Sequence, residues 1–318
     1  MHTVWRDARH AVRLILRNPG FAGLAVTMLA LGLFWADSKA EQKAPAVTSG
    51  SVDVGDARLF YDEAGTGDAV IMIHGGFLTK EMWDGHFERF SAKYRAVRYD
   101  ARNHGLSRSE PVTFAHFEDL DKLMAHLNIE KAVIMGLSMG GYIAIDFALK
   151  HPEKVNGLIL VAPGLSGYEF NDPESIAYQK RFREAAEGGD TEKIIEVFME
   201  AWTYGPRRKA EDLDPALRDK IRGMARKTLV TWNSKSKELA ADPPSVGRLK
   251  DIQARTLCVV GDLDMPSILD IVRRLEKDVP HFEKAVIPGV AHMVNLEKPA
   301  AFDRVVLDFL RKVYRETP

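Results

Sequence analysis

The 318-residue chain has a single cysteine, Cys258, so it can build no intrachain disulfide, no Cys-x-x-Cys redox pair and no multi-thiolate metal site. Stability must come from packing. It has no charge imbalance either: 44 basic and 45 acidic side chains leave a formal charge of −1, which excludes a polycation built to neutralise nucleic-acid phosphates. Internal repeats and low-complexity tracts are absent. So are H-E-x-x-H, a G-x-x-x-x-G-K phosphate loop and a complete G-x-G-x-x-G fingerprint, leaving zinc, nucleotide and nicotinamide chemistry unsupported. What is present is 46% hydrophobic residues with 24 Gly and 15 Pro, a mixture that can bury one good core.

The charge is unevenly placed. Residues 1–40 carry Arg6, Arg9, Arg13, Arg17 and Lys39 against Asp7 and Asp37, a local +3, while the other 278 residues carry −4. Between Arg17 and Asp37 lie 19 uncharged residues, enough at about 1.5 Å per helical residue to cross a hydrocarbon layer roughly 30 Å thick. The run is apolar on all faces and a polar linker (41–50) follows, so a buried amphipathic helix fits poorly. The expectation is a signal peptide or membrane anchor over 1–40. Basic residues ahead of the run would stay in the cytoplasm and the remaining chain would cross, to the periplasm if the source is bacterial. The alternative is a cytoplasmic protein. Ser38-Lys39-Ala40 offers small residues for cleavage after Ala40. The segment RDARHAVRLILRNPGFAGLAVTMLALGL also resembles the N-terminal membrane segment of bacterial transporter permeases, over about thirty residues; no second such span follows, so it implies an address and not transport.

From residue 51 the pattern changes to polar and apolar alternation, an antiparallel ribbon turning at Gly55-Asp56. Short apolar runs follow at 69–73, 94–99, 131–135, 155–161, 256–260 and 284–287, each continuous enough for a strand covered on both faces. Helical patterns at 83–90, 114–127, 140–150, 267–277 and 300–314 separate them. This alternation predicts an α/β fold with a mainly parallel sheet between helices, its core formed by 51–164 and 248–318. The interval 165–247 breaks the rhythm with several helical patterns and no strand, and reads as an inserted helical cap. Phe182, Phe198, Met199, Trp202, Tyr204, Met224 and Trp232 either line that cap or form its own small core, and helical spacing favours the second.

The chemistry is sharpest at Gly136-Leu137-Ser138-Met139-Gly140-Gly141, which follows an apolar strand and opens a helix. In a G-x-S-x-G turn the small residues let strand and helix approach while the serine hydroxyl projects above the sheet. A serine hydroxyl is a weak nucleophile near neutral pH; it needs a base in reach and a carboxylate to orient that base. Both should follow on loops after later strands, acid first. His292, on the turn after 284–287, is the candidate base; His281 precedes its strand and His151 ends a helix, so both sit at the wrong edge. For the acid, Asp264 and Asp262 compete on G-D-L-D, and spacing from the strand end favours Asp264, leaving Asp262 to cap the turn. Negative charge on a tetrahedral intermediate needs aimed N–H donors. Met139 supplies one, and the loop His74-Gly75-Gly76-Phe77 the other, from Gly76 first and Phe77 second. His74 reads as a structural hydrogen-bonding residue.

These pieces together resemble the α/β-hydrolase superfamily: HGGF at 74–77, Trp83, YDARNHGLS at 99–107, GLSMGG at 136–141, GDLD at 261–264 and GVAH at 289–292. The resemblance spans residue 50 to the end. It implies an eight-stranded central sheet, a helical cap and a Ser138, His292, Asp264 triad, with the segment around Asp100, Arg102, His104, Gly105 and Ser107 as scaffold. Asn103 stands where relatives more often carry glycine. Within the superfamily the chain is most similar to capped esterases, lactonases and carbon–carbon bond hydrolases; a serine at 138 separates it from the dehalogenases and epoxide hydrolases that use aspartate there.

The expected activity is hydrolysis of a small-molecule carboxylic ester or lactone through an acyl-enzyme, with no metal or organic cofactor and no nucleic-acid partner, and membrane contact only through the N-terminal segment. Alternatives are carbon–carbon bond hydrolysis, cofactor-free perhydrolysis or acyl transfer by the same triad, and a non-catalytic ligand-binding protein of the same fold. Substrate identity and oligomeric state have no signature in the sequence.

Overall fold

The computed structural model describes residues 45–232 and 235–315, so the expected signal or anchor at 1–40 lies outside the described residues. Among the described residues no helix is long and apolar enough to cross a membrane. The alternating segment forms β1 (Thr48–Asp53) and β2 (Ala57–Ala64), paired antiparallel. Their turn closes through Val54 N–H to Ala57 O at 2.9 Å.

The apolar runs then become strands joined by helices: β3 (Ala69–Ile73), α1 (Asp84–Ser91), β4 (Arg95–Tyr99), the short β5 (Arg108–Ser109) and β6 (Thr113–Phe114), and α2 (His116–His126). They continue as β7 (Ala132–Leu137), α3 (Met139–Lys150) and β8 (Val155–Val161). The sheet runs β1-β2-β4-β3-β7-β8 and is completed by β10 (Arg255–Gly261) and β11 (Phe282–Ile287), which flank α7 (Pro266–Asp278). That path has the eight strands expected, and β5 adds a ninth, two-residue strand on β2. From β4 to β11 every pairing is parallel.

Two cores lie on the two faces of the sheet because side chains alternate along each strand. In β7, Ala132 and Ile134 pack with α2, α3 and α7, whereas Val133, Met135 and Leu137 pack with α1 and with α9 (Pro299–Arg315). Every residue of β7 is buried, which is why its sequence is an uninterrupted apolar run.

Between β8 and β10 the chain forms α4 (Pro173–Glu187), α5 (Thr191–Phe198), a π-helical turn (Met199–Tyr204) and α6 (Pro215–Thr231). Each of α4, α5 and α6 begins on an aspartate, Asp172, Asp190 or Asp214, whose carboxylate accepts an N–H of the first turn. One expectation is corrected here. A strand does occur in this interval: β9 (Lys237–Glu238) pairs with β6 as a separate two-stranded sheet. Two residues carry no periodicity, so only tertiary placement creates it. The short α8 (Val294–Glu297) follows β11.

Candidate active site

β7 passes into α3 through Ser138, whose φ of 54° and ψ of −107° place a non-glycine residue in a sparsely populated region. The turn holds it there. Ser138 N–H donates to Val161 O at 2.9 Å, and Ser138 O accepts from Gly141 and Gly164 at 2.9 Å. The glycines have a steric cause: a Cβ on Gly136 would lie 2.0 Å from Gly140 O, and one on Gly140 would lie 2.4 Å from Ile73 O. Strand and helix cross too closely for side chains, and the serine is left at the carboxyl edge of the sheet.

The loops after β10 and β11 meet at the same edge. His292 Nδ1 lies 2.9 Å from Asp264 Oδ2 and 3.1 Å from Oδ1, with both side chains buried. That contact assigns the proton to Nδ1 and leaves Nε2 as the acceptor, the form a general base requires. Nε2 is buried without a hydrogen-bond partner, so the Ser138 hydroxyl is not yet bonded to it, although both residues line one cavity. Loose nucleophile-to-base contacts are common before substrate binds. The competing Asp262 takes the capping role expected of it, accepting Gly289 N–H at 2.7 Å.

The oxyanion candidates converge as well. Met139 is the first residue of α3, so its N–H has no carbonyl one turn back to satisfy it. Across from it, a Cβ on Gly76 would come within 4.0 Å of Met139 Cβ. Gly76, Phe77 and Met139 all line the cavity beside Ser138. Phe77 has a φ of 59°, and its ring packs on Phe198, Phe182 and Trp232 at 5.3, 5.6 and 5.9 Å between centroids. His74 is structural, as expected: Nε2 accepts Ala101 N–H at 2.9 Å and Nδ1 donates to Gly75 O at 2.8 Å. Burial holds its imidazole well below the usual range, neutral, under the loop of the oxyanion candidates.

The cavity has a volume of about 480 Å³. Its wall is chiefly apolar and aromatic, and much of it comes from 165–247, which contributes Phe170, Tyr178, Phe198, Trp202 and Glu238. Of the large apolar residues singled out in the sequence, Phe198 and Trp202 line the cavity, whereas Met199, Tyr204 and Met224 are buried in the core beneath. Trp202 lies against His292, ring centroids 4.8 Å apart. Tyr142 and Glu238 are wall residues that sequence reasoning missed. Tyr142 had a signal, one turn after Ser138 on the same helix; Glu238, on a two-residue strand, had none.

The alpha/beta hydrolase family profile matches residues 70–305. A 2-hydroxy-6-oxononadienedioate/2-hydroxy-6-oxononatrienedioate hydrolase of Comamonas testosteroni is 29% identical, covering 83% of this chain and 95% of its own. A 2-hydroxy-6-oxo-6-phenylhexa-2,4-dienoate hydrolase of Burkholderia cepacia is 28% identical over 83% of this chain and 95% of its own. Among solved structures, a thermophilic esterase from Thermogutta terrifontis superposes with a TM-score of 0.62 at 26% identity, covering 84% of this chain and 99% of the esterase. Fold, strand-end loops and sequence thus agree, and the chain belongs to the alpha/beta hydrolase family.

Proposed function

We propose that the protein hydrolyses carboxylic esters or lactones through an acyl-enzyme on Ser138. In this reading His292 Nε2 takes the hydroxyl proton as oxygen attacks the carbonyl, and Asp264 holds the imidazole and stabilises its charged form. The N–H groups of Met139 and of Gly76 or Phe77 receive the developing oxyanion. His292 then returns the proton to the leaving alcohol, and water repeats the sequence to free the acid. The observation that carries the reading is the His292–Asp264 pair, which leaves Nε2 without a partner in a residue that lines the same cavity as Ser138. The test is release of 4-nitrophenol from 4-nitrophenyl butyrate by the domain from residue 41 onward. Ser138→Ala is expected to lose at least about three orders of magnitude in kcat with the fold intact; an unchanged rate would overturn the assignment.

The curated relatives favour a second reading, hydrolysis of a carbon–carbon bond beside a ketone. The substrates in their names are dienoates and dienedioates, which carry carboxylates. Among the described residues, no lysine or arginine lines this cavity to receive one. We therefore place the ester reading first. A ring-cleavage diketone and the butyrate ester assayed on one preparation separate the two: the ester should be preferred at least about tenfold in kcat/KM, and the reverse preference would select the carbon–carbon reading.

A further inference from the structure

We propose that Glu238 and the aromatic wall beside it form a subsite for a positively charged alkylammonium group on the substrate, an inference that rests on the ester-hydrolase reading. Glu238 is fixed by β9, where Lys237 N–H donates to Val112 O at 2.9 Å and Leu239 N–H to Phe114 O at 2.7 Å. Its Oε1 accepts the Tyr142 hydroxyl at 2.5 Å. Tyr142 N–H in turn donates to Ser138 O at 3.2 Å, so one tyrosine spans from the nucleophile turn to the carboxylate.

The second carboxylate oxygen lies 3.9 Å from His116 Nε2. Burial pushes the His116 imidazole down to about 4, so it is neutral near pH 7 and supplies no counter-charge. Among the described residues no lysine or arginine pairs with Glu238, although the chain is rich in both. The Glu238 side chain is 38% exposed, and the covering of the rest raises its carboxyl, the cost of a negative group that has lost part of its water. A ligand cation would relieve it. The same cavity presents Tyr142, Phe170, Tyr178 and Trp202, whose ring faces attract cations. A carboxylate and several aromatic side chains lining one cavity without a lysine or arginine is the chemistry that receives an ammonium group and repels a carboxylate.

A purely mechanical role, latching β9 to α3 through Tyr142, makes a different prediction. An amide oxygen accepts the tyrosine hydroxyl as well as a carboxylate does, so Glu238→Gln keeps the latch and removes the charge. The experiment uses three 4-nitrophenyl esters of matched length, ending in trimethylammonium, tert-butyl or carboxylate. For the unmodified protein kcat/KM should rank cation above neutral above anion, with about tenfold between cation and neutral. In Glu238→Gln the cation-to-neutral ratio should collapse towards one. In parallel, pentyltrimethylammonium should inhibit neutral-ester hydrolysis by the unmodified protein competitively and hexanoate should not, a measurement that does not depend on the variant folding. A ratio at or below one in the unmodified protein, a ratio that survives in Glu238→Gln, or stronger inhibition by hexanoate would overturn the subsite. Failure of the underlying hydrolase reading looks different: none of the three esters would show Ser138-dependent turnover.

Discussion

Single residues at the Ser138 turn are held by sterics more than by chemistry, and this is testable without a substrate. Gly136 and Gly140 sit where backbone meets backbone, and oxygen atoms at 2.0 and 2.4 Å from a built Cβ cannot swing aside as a side-chain tip can. Gly136→Ala is therefore expected to cost about 2 to 3 kcal/mol, an overpacking penalty, and to displace Ser138. Gly223, inside α6, has nothing within 4 Å of a built Cβ. Gly223→Ala should instead gain up to about 1 kcal/mol from helix propensity. Urea titration of both variants checks the contrast, and equal effects would show that the turn is not close-packed. At this scale much of the candidate site was legible. Ser138, Asp264 and His292 follow apolar strands, and strand ends in a parallel sheet share one edge. Asn103 was the one departure noticed, and its φ of 63° explains it, because asparagine tolerates the left-handed region that glycine fills elsewhere. Glu238 was not legible, since its position depends on a chain crossing that no local pattern encodes.

Elements meet at the histidine loop, where the π-helical turn is clamped to the sheet edge. Arg208 donates to Glu297 through Nη1 at 2.5 Å and Nη2 at 3.0 Å, and to Tyr204 O and Thr203 O at 2.8 and 3.1 Å. Glu297 also accepts Ala291 N–H at 3.2 Å, one residue before His292. The guanidinium thus ties the end of the turn that carries Trp202 to the loop that carries the candidate base. Both side chains are about nine-tenths buried, so removing one leaves the other charge uncompensated, at roughly 3 to 5 kcal/mol. Arg208→Met should lower stability by that order and kcat with it. Adding Glu297→Leu should restore most of the stability and little of the rate, because Ala291 N–H then loses its acceptor beside His292. Full recovery of kcat in the double variant would mean that the clamp serves folding alone. The apolar strands and amphipathic helices were predictable within one or two residues at most ends, because burial dictates their pattern. The π-helical turn was not: EVFMEAWTY has ordinary helical spacing, and the widened turn depends on what it packs against.

Across the whole molecule, buried histidines set how folding responds to acid. His74, His104 and His116 lie in one buried group, with the rings of His74 and His104 4.9 Å apart. Burial is the main cause that pushes His104 and His116 down to about 4, and it holds His74 well below its usual value, with repulsion from His104 adding to it. An unfolded chain takes up these protons near pH 6.5, while the fold refuses them until about pH 4. In that window the unfolded state binds more protons, so stability must fall as the pH is lowered from about 6.5 towards 4. A shift from 6.5 to about 4 at His104 and at His116 is worth up to roughly 3 kcal/mol for each group. Asp100, Asp146 and Glu238 act in the opposite sense, since burial raises their carboxyls and the fold then protonates them before the unfolded chain does. Their opposition begins at the ordinary carboxylate value and extends upward into the histidine window, so it offsets part of the fall. The urea midpoint should therefore drop steadily between pH 6.5 and 4.5, and His104→Asn should make that slope shallower by about one proton. A midpoint that holds level or rises over this interval would mean that the three imidazoles take up protons within the fold, and the neutral support assigned to His74 beneath the 74–77 loop would fall with it.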